Sequence, residues 1–199
     1  MANSDKAEGG YPWRIMLVGC LCLQAVACWN GEFNVEQGEA GNFWEPLHYL
    51  LYGTGVQNFE WSKEYAIRAP VYLAPLYGFG MVGKLLGLSK LGVLYVMRYL
   101  LGACGSLSLY SMARASEGVL GGRAAAMGFW LAASNQCVAL YMGRVGVDTF
   151  TSMLHCLMVA AWFKGRHVRL VWLCAATVLL RPSFLCVVGA MGLIVAQQV

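Results

Sequence analysis

Long apolar segments occupy most of this chain, and they restrict it to folds that lipid can solvate. Hydrophobic residues make up 59% of the 199 residues and charged residues only 12%, with a mean hydropathy of +0.56. A soluble domain has about a quarter of its residues charged. Since a transmembrane helix needs about 20 predominantly apolar residues, the pattern predicts an all-α, polytopic membrane protein with about six transmembrane helices. The apolar segments are residues 15–28, 69–83, 91–112, 124–142, 147–163 and 168–196.

The N-terminal segments define the expected topology. Residues 1–14 are polar, and the run at residues 15–29 is short enough to be a signal-peptide core. Trp29 is typical of an interfacial anchor and no small-residue cleavage pattern ends the run, so a retained first transmembrane helix is favoured. The basic flank before it and the acidic loop after it place residues 1–14 in the cytoplasm and residues 30–68 across the membrane. Residues 69–199 form the transmembrane bundle, which stops directly after an apolar run and is expected to be truncated.

Counting spans from this start gives an inconsistent charge distribution. If residues 69–83 cross the membrane, Lys84 and Lys90 are cytoplasmic, and the basic cluster at residues 164–169 lies on the other side. Short cytoplasmic loops usually carry the excess of lysine and arginine. Either one apolar segment does not span the membrane, or these cations have a functional role.

The loop at residues 30–68 contains a predicted short helix over residues 45–52. Pro46 fits the first turn, where its missing N–H is not needed, and Gly53 fits the position just past the end. An aromatic amphipathic helix of two turns is typical of a membrane surface. Because they are spaced four apart, the side chains on one face are Trp44, His48 and Tyr52.

The same loop carries the most specific signal in the chain. Residues 42–68 read NFWEPLHYLLYG followed by TGVQNFEWSKEYAIR. This string resembles the first luminal loop of the dolichyl-phosphate-mannose-dependent mannosyltransferases of the endoplasmic reticulum. The likeness is strongest to the α-1,2-mannosyltransferases that extend the dolichol-linked N-glycan precursor. It is dense over residues 42–68 and weaker from there to about residue 185.

The resemblance implies a GT-C fold: a multi-pass enzyme of the endoplasmic reticulum membrane with a luminal active site. Such enzymes transfer mannose from dolichyl-phosphate-mannose to a lipid-linked oligosaccharide, with inversion and without a metal ion, nucleotide or other cofactor. The expected partners are this donor, this acceptor and membrane lipid, and no nucleic acid. A lipid phosphate is a good leaving group, so the protein must supply a carboxylate for the acceptor hydroxyl and cations for the phosphate.

The expected catalytic position departs from the family pattern. Family members carry an Asp-Glu pair just before the matched segment, with the Asp as base, whereas this chain has Gly38 followed by Glu39. Glu39 and Glu36 are therefore the catalytic candidates, although both fit equally well as solvated loop acids. The only aspartates, Asp5 and Asp148, are far from this loop in sequence.

Further candidates are cations in apolar segments and side chains of the matched loop. An arginine inside an apolar segment is a functional-site hypothesis by default, and Arg181 is predicted to bind the lipid phosphate, with snorkelling to the interface as the alternative. Arg98 could be buried or could snorkel, and snorkelling is favoured. Glu45 is placed to accept a hydrogen bond near the helix start. The residues predicted to bind substrate are Trp44, Glu45, His48, Tyr49, Arg68 and Arg181.

Three other functions are compatible with parts of the sequence. A truncated or catalytically inactive relative that serves as a membrane scaffold or subunit would explain Gly38 and the short length. A GPI-anchor mannosyltransferase shares the general plan. An unrelated transporter would require polar pairs on broken helices in matching halves, and no such symmetry is visible.

Overall fold

The computed structural model describes residues 11–31, 38–56, 58–65, 70–186, 188–189 and 192. These residues are helical and include no β-strand, which confirms the all-α prediction. Short 3-10 turns at Phe59–Trp61, Pro70–Tyr72 and Pro182–Phe184 join the longer elements. The α-helices are α1 (Trp13–Asn30), α2 (Glu45–Tyr52), α3 (Leu73–Leu85), α4 (Lys90–Leu120), α5 (Gly122–Ser134), α6 (Gln136–Met142), α7 (Val147–Phe163) and α8 (His167–Leu180).

Helices α1 and α4 form the antiparallel centre of the bundle. The Trp29 ring stacks on Tyr95 with centroids 5.4 Å apart, and the Trp13 ring meets Tyr110 at 6.0 Å. We call the end of the bundle near Trp29 and Tyr95 the loop end, because the loop after α1 folds there. In the described part of the chain, α1 and α4 are long and apolar enough to cross a membrane, and the pair α6–α7, bent by 110°, makes a third if it is one broken span.

Helix α3 does not lead to the far end of the bundle. It forms a hairpin with α4, in which a Cβ on Gly83 would lie 3.1 Å from Val93. Its 13 residues reach only about 20 Å, less than the hydrocarbon core of about 30 Å. Lys84 Nζ donates to the backbone oxygen of Leu51 at 2.5 Å, and Lys90 lies over the Tyr52 ring.

Both lysines therefore lie beside the described part of the loop at residues 30–68, which favours the alternative that residues 69–83 do not cross the membrane. Hydropathy alone does not distinguish a helix that crosses the membrane from an apolar helix that packs against a neighbour. Here the small residues Gly80 and Gly83 allow α3 to pack closely against α4.

The C-terminal half crosses the bundle three times. Helix α5 returns toward the loop end and stops at Asn135, whose side-chain oxygen accepts the N–H groups of Cys137 and Val138 and so begins α6. The segment 124–142 is thus two helices instead of one. Helix α7 runs away from the loop end, and α8 comes back until Arg181 and Pro182 interrupt it, as predicted.

This path favours the first of the two alternatives for the charge distribution. Since α7 runs away from the loop end, the turn between α7 and α8 lies at the opposite end, where α1 begins and α4 ends. Among the described residues, the basic ones at that end are Arg14, Arg114, Arg123, Lys164, Arg166 and Arg169. With residues 1–14 in the cytoplasm, they obey the positive-inside tendency.

Candidate active site at the loop end

A π-helical turn, Ala40–Trp44, leads directly into α2. Pro46 occupies the first turn of α2, and Gly53 ends it with a left-handed φ of +73°, as the sequence predicted. His48 stands between Trp44 and Tyr52, with ring centroids 5.9 Å and 4.8 Å away. The predicted aromatic face is therefore present.

Two hydrogen bonds hold the chain that follows α2 against that helix. Glu45 Oε2 accepts the N–H of Val56 at 3.0 Å, and His48 Nδ1 lies 2.5 Å from the backbone oxygen of Thr54. Glu45 accepts a hydrogen bond as expected, but the donor is Val56 in the chain after α2, and Glu45 does not cap the helix. The exposed side chain of Tyr49 borders a cavity of about 470 Å³, walled also by Pro46, Trp61, Leu73 and Tyr77.

Glu39 lies in a buried ion pair with Arg98. Arg98 Nη2 is 3.2 Å and 3.3 Å from the two carboxylate oxygens, and the residues are only 3% and 4% exposed. Glu39 Oε1 also accepts the N–H of Val145 at 2.9 Å. Arg98 Nη1 donates to the backbone oxygen of Gly31 at 2.6 Å. The snorkelling expected for Arg98 is therefore wrong, since a buried partner 59 residues away along the chain compensates its charge.

The position expected to hold the base carries no side chain. Gly38 has φ of +74°, and a Cβ there would lie 2.7 Å from Nδ2 of Asn42. The Asn42 amide is engaged, because its Oδ1 accepts from Asn58 Nδ2 at 2.7 Å. Glu36 and Arg68 lie outside the described residues, and the catalytic role of Glu39 stays a prediction.

A cavity of about 520 Å³ with a mixed polar and apolar lining adjoins the ion pair. Its wall includes Arg98, Arg144, Asn30, Gly31, Ser134 and Gln136. Sequence reasoning missed Arg144; its position in the polar break after an apolar segment was the available signal. The rest of the wall is mostly apolar, with Leu23, Val26 and Leu140 among its side chains, so the two guanidinium groups border a largely apolar space.

Arg181 pairs with Asp148 in the first turn of α7. Their side chains are 41% and 61% exposed, so this pair is accessible, unlike the one at Glu39. A Cβ on Gly146, two residues before Asp148, would contact the Phe43 ring at 3.5 Å. Folding thus brings Asp148 near the loop, from which it is distant in sequence. The role of Arg181 in phosphate binding stays a prediction.

A family model described as the Alg9-like mannosyltransferase family matches residues 15–199, which include the loop and almost every described helix. The chain belongs to the Alg9-like mannosyltransferase family.

The curated relatives that this chain matches have the same name in different organisms. Alpha-1,2-mannosyltransferase alg9 of Schizosaccharomyces pombe is 53% identical over 66 residues, which is 33% of this chain and 11% of that protein. The Drosophila melanogaster Alg9 is 28% identical over 160 residues, covering 76% and 24% of the two chains. The Homo sapiens ALG9 is 34% identical over 96 residues, covering 47% and 15%.

The chain therefore spans between about a tenth and a quarter of the length of these relatives. No solved structure matches it.

Proposed function

We propose that this protein transfers mannose from dolichyl-phosphate-mannose to a lipid-linked oligosaccharide, forming an α-1,2 linkage during assembly of the N-glycan precursor. The observation that carries the proposal is the family match over residues 15–199. The relatives named above are α-1,2-mannosyltransferases, and none of the three is a GPI-anchor enzyme. The membrane is that of the endoplasmic reticulum, with the loop end in the lumen.

The reaction needs a base, a leaving-group site and a sugar platform. A carboxylate takes the proton of the acceptor hydroxyl, and the hydroxyl oxygen attacks the anomeric carbon with inversion. The bond from that carbon to the phosphate oxygen breaks, and dolichyl phosphate leaves with the electron pair. No metal ion, nucleotide or other cofactor takes part.

The loop end offers groups for each role. Glu39 or Glu36 is the base, and Glu39 can serve only if its carboxylate exchanges Arg98 or Val145 for the acceptor hydroxyl. Arg181 contacts the donor phosphate after leaving Asp148. The sugar-binding groups are Trp44, Glu45, His48, Tyr49 and Arg68.

Microsomes that lack the endogenous enzyme provide the test. Supplied with labelled dolichyl-phosphate-mannose, microsomes containing this chain should add mannose to the lipid-linked acceptor, and an α-1,2-mannosidase should release it. Glu117→Gln, at the opposite end of the bundle, is the matched control for Glu39→Gln and should keep the activity. A correctly inserted chain that transfers no mannose would refute the proposal and support the scaffold function.

A further inference from the structure

We infer that Arg98 is a positioning residue for mannose transfer, because one guanidinium group holds both Glu39, the candidate base, and the residue that follows α1. The inference rests on the proposed function. One guanidinium group reaches the backbone oxygen of Gly31, at the end of α1, and the carboxylate of Glu39, which follows Gly38. Residues 31 and 39 are thereby held to the same side chain of α4.

Burial makes the ion pair between Arg98 and Glu39 difficult to replace with water. Arg98 and Glu39 are 3% and 4% exposed, so neither charge can be satisfied by water when the other is removed. A surface pair is exchanged readily for solvent, whereas a desolvated pair is released only if another charged or polar group replaces it. The segment therefore has a defined anchoring point while the pair is intact.

A third contact fixes the direction of the anchored residue. The N–H of Val145, in the turn before α7, donates to Glu39 Oε1 at 2.9 Å. The backbone oxygen of Gly38 accepts the N–H of Asn42 at 2.9 Å. The carboxylate of Glu39 is thus located relative to α4, to the turn before α7 and to the π-helical turn. A displacement of about 1 Å at a reacting group can lower a rate about 100-fold.

Lysine cannot reproduce this arrangement. The planar guanidinium presents several donors in a rigid fork, whereas a lysine ammonium is a compact point charge on a flexible stem. Arg98→Lys keeps the positive charge beside Glu39 but cannot also reach Gly31 in the same geometry. This substitution therefore separates charge neutralisation from positioning.

The test combines kinetics with hydrogen exchange on the full chain in lipid nanodiscs. We expect Arg98→Lys to lower kcat about 100-fold, with the KM for dolichyl-phosphate-mannose changed less than about twofold. Amide exchange in a peptide covering residues 31–44 should accelerate about tenfold or more, while peptides from α5 keep their rates. Arg114→Lys is the matched control, since Arg114 pairs with Glu117 on the same helix but is exposed and distant from the loop end.

The possible outcomes separate the two proposals. Unchanged kcat in Arg98→Lys overturns the positioning role, whether or not exchange accelerates. A fall in kcat accompanied by faster exchange throughout the bundle also overturns it, because the effect is then general unfolding. If the parent chain transfers no mannose, the proposed function fails and the catalytic inference fails with it. Faster amide exchange confined to residues 31–44 in Arg98→Lys would then show only that Arg98 restrains this part of the chain.

Discussion

Replacing Gly38 with aspartate returns a carboxylate to the position where family members are expected to carry the base, and the structure gives the cost of this change. The residue has φ of +74°, and an L-residue in the left-handed region costs about 1–2 kcal/mol. The new Cβ would also lie 2.7 Å from Asn42 Nδ2. Turning that amide away breaks its hydrogen bond with Asn58, a loss of about 0.5–1.5 kcal/mol.

The local cost is therefore about 1.5–3.5 kcal/mol, less than the 5–15 kcal/mol by which folded proteins are usually stable. A correctly placed general base contributes roughly 10²- to 10⁴-fold to a rate. We expect Gly38→Asp to lower the thermal stability and nevertheless raise mannose transfer about 100-fold. Like charges nearby disfavour ionisation, but Arg98 already compensates the charge of Glu39.

Mannose transfer in microsomes lacking the endogenous enzyme measures this gain, with the chain tested both alone and fused to the C-terminal part of a relative. Gly38→Ala introduces the strain and the contact without a carboxylate and should not raise activity. Gly165→Asp introduces a carboxylate at φ of +63° with no atom within 4 Å of its Cβ, and serves as the strain control. Adding Asn42→Ala to Gly38→Asp should cost little further stability, because the hydrogen bond of Asn42 with Asn58 is already lost and the close contact is removed. We expect this gain because Glu39 or Glu36 acts in the parent chain only as a stand-in base. Unchanged or lower transfer in Gly38→Asp, together with parent activity that Glu39→Gln abolishes, would refute the reasoning and make Glu39 a fully effective base.

Two further predictions concern topology and the accessible ion pair. Glycosylation acceptor sequences inserted after Gly55 and after Gly87 should both be modified in microsomes, whereas one inserted after Gly165 should not be modified. If the acceptors after Gly55 and Gly165 are modified and the one after Gly87 is not, α3 crosses the membrane. Photo-crosslinking to a dolichyl-phosphate analogue should weaken in Arg181→Leu, survive in part in Arg181→Lys and strengthen in Asp148→Asn, which removes the competing carboxylate. Equal labelling of the four forms would return Arg181 to a snorkelling role.

Local signals in the sequence predicted the elements that local chemistry determines. Pro46 and Gly53 mark the two ends of α2 because each suits a backbone conformation that few other residues adopt. The interruption at Arg181 and Pro182 was predictable for the same reason. The break at Asn135 was also available in the sequence, since a capping side chain inside an apolar segment favours a helix start.

Long-range features could not be predicted in this way. Hydropathy does not distinguish an apolar segment that crosses the bilayer from one that folds back, so the path of α3 depended on its contacts with α4. The burial of Arg98 depended on Glu39, 59 residues earlier, and nothing in the local sequence around either residue indicates the pair. The proximity of Asp148 to the loop follows from the path of α7.

The hydrogen bond between Val145 and Glu39 has a consequence for biosynthesis. The two residues are 106 positions apart. At synthesis rates of about 5–20 residues per second, Val145 is added roughly 5–20 s after Glu39. During that interval the nascent chain can form the contact of Glu39 with Arg98 but not the one with Val145. The loop therefore reaches its final position only after α6 and the turn before α7 have been made, and a ribosome-bound chain arrested before Val145 should have an incompletely fixed loop.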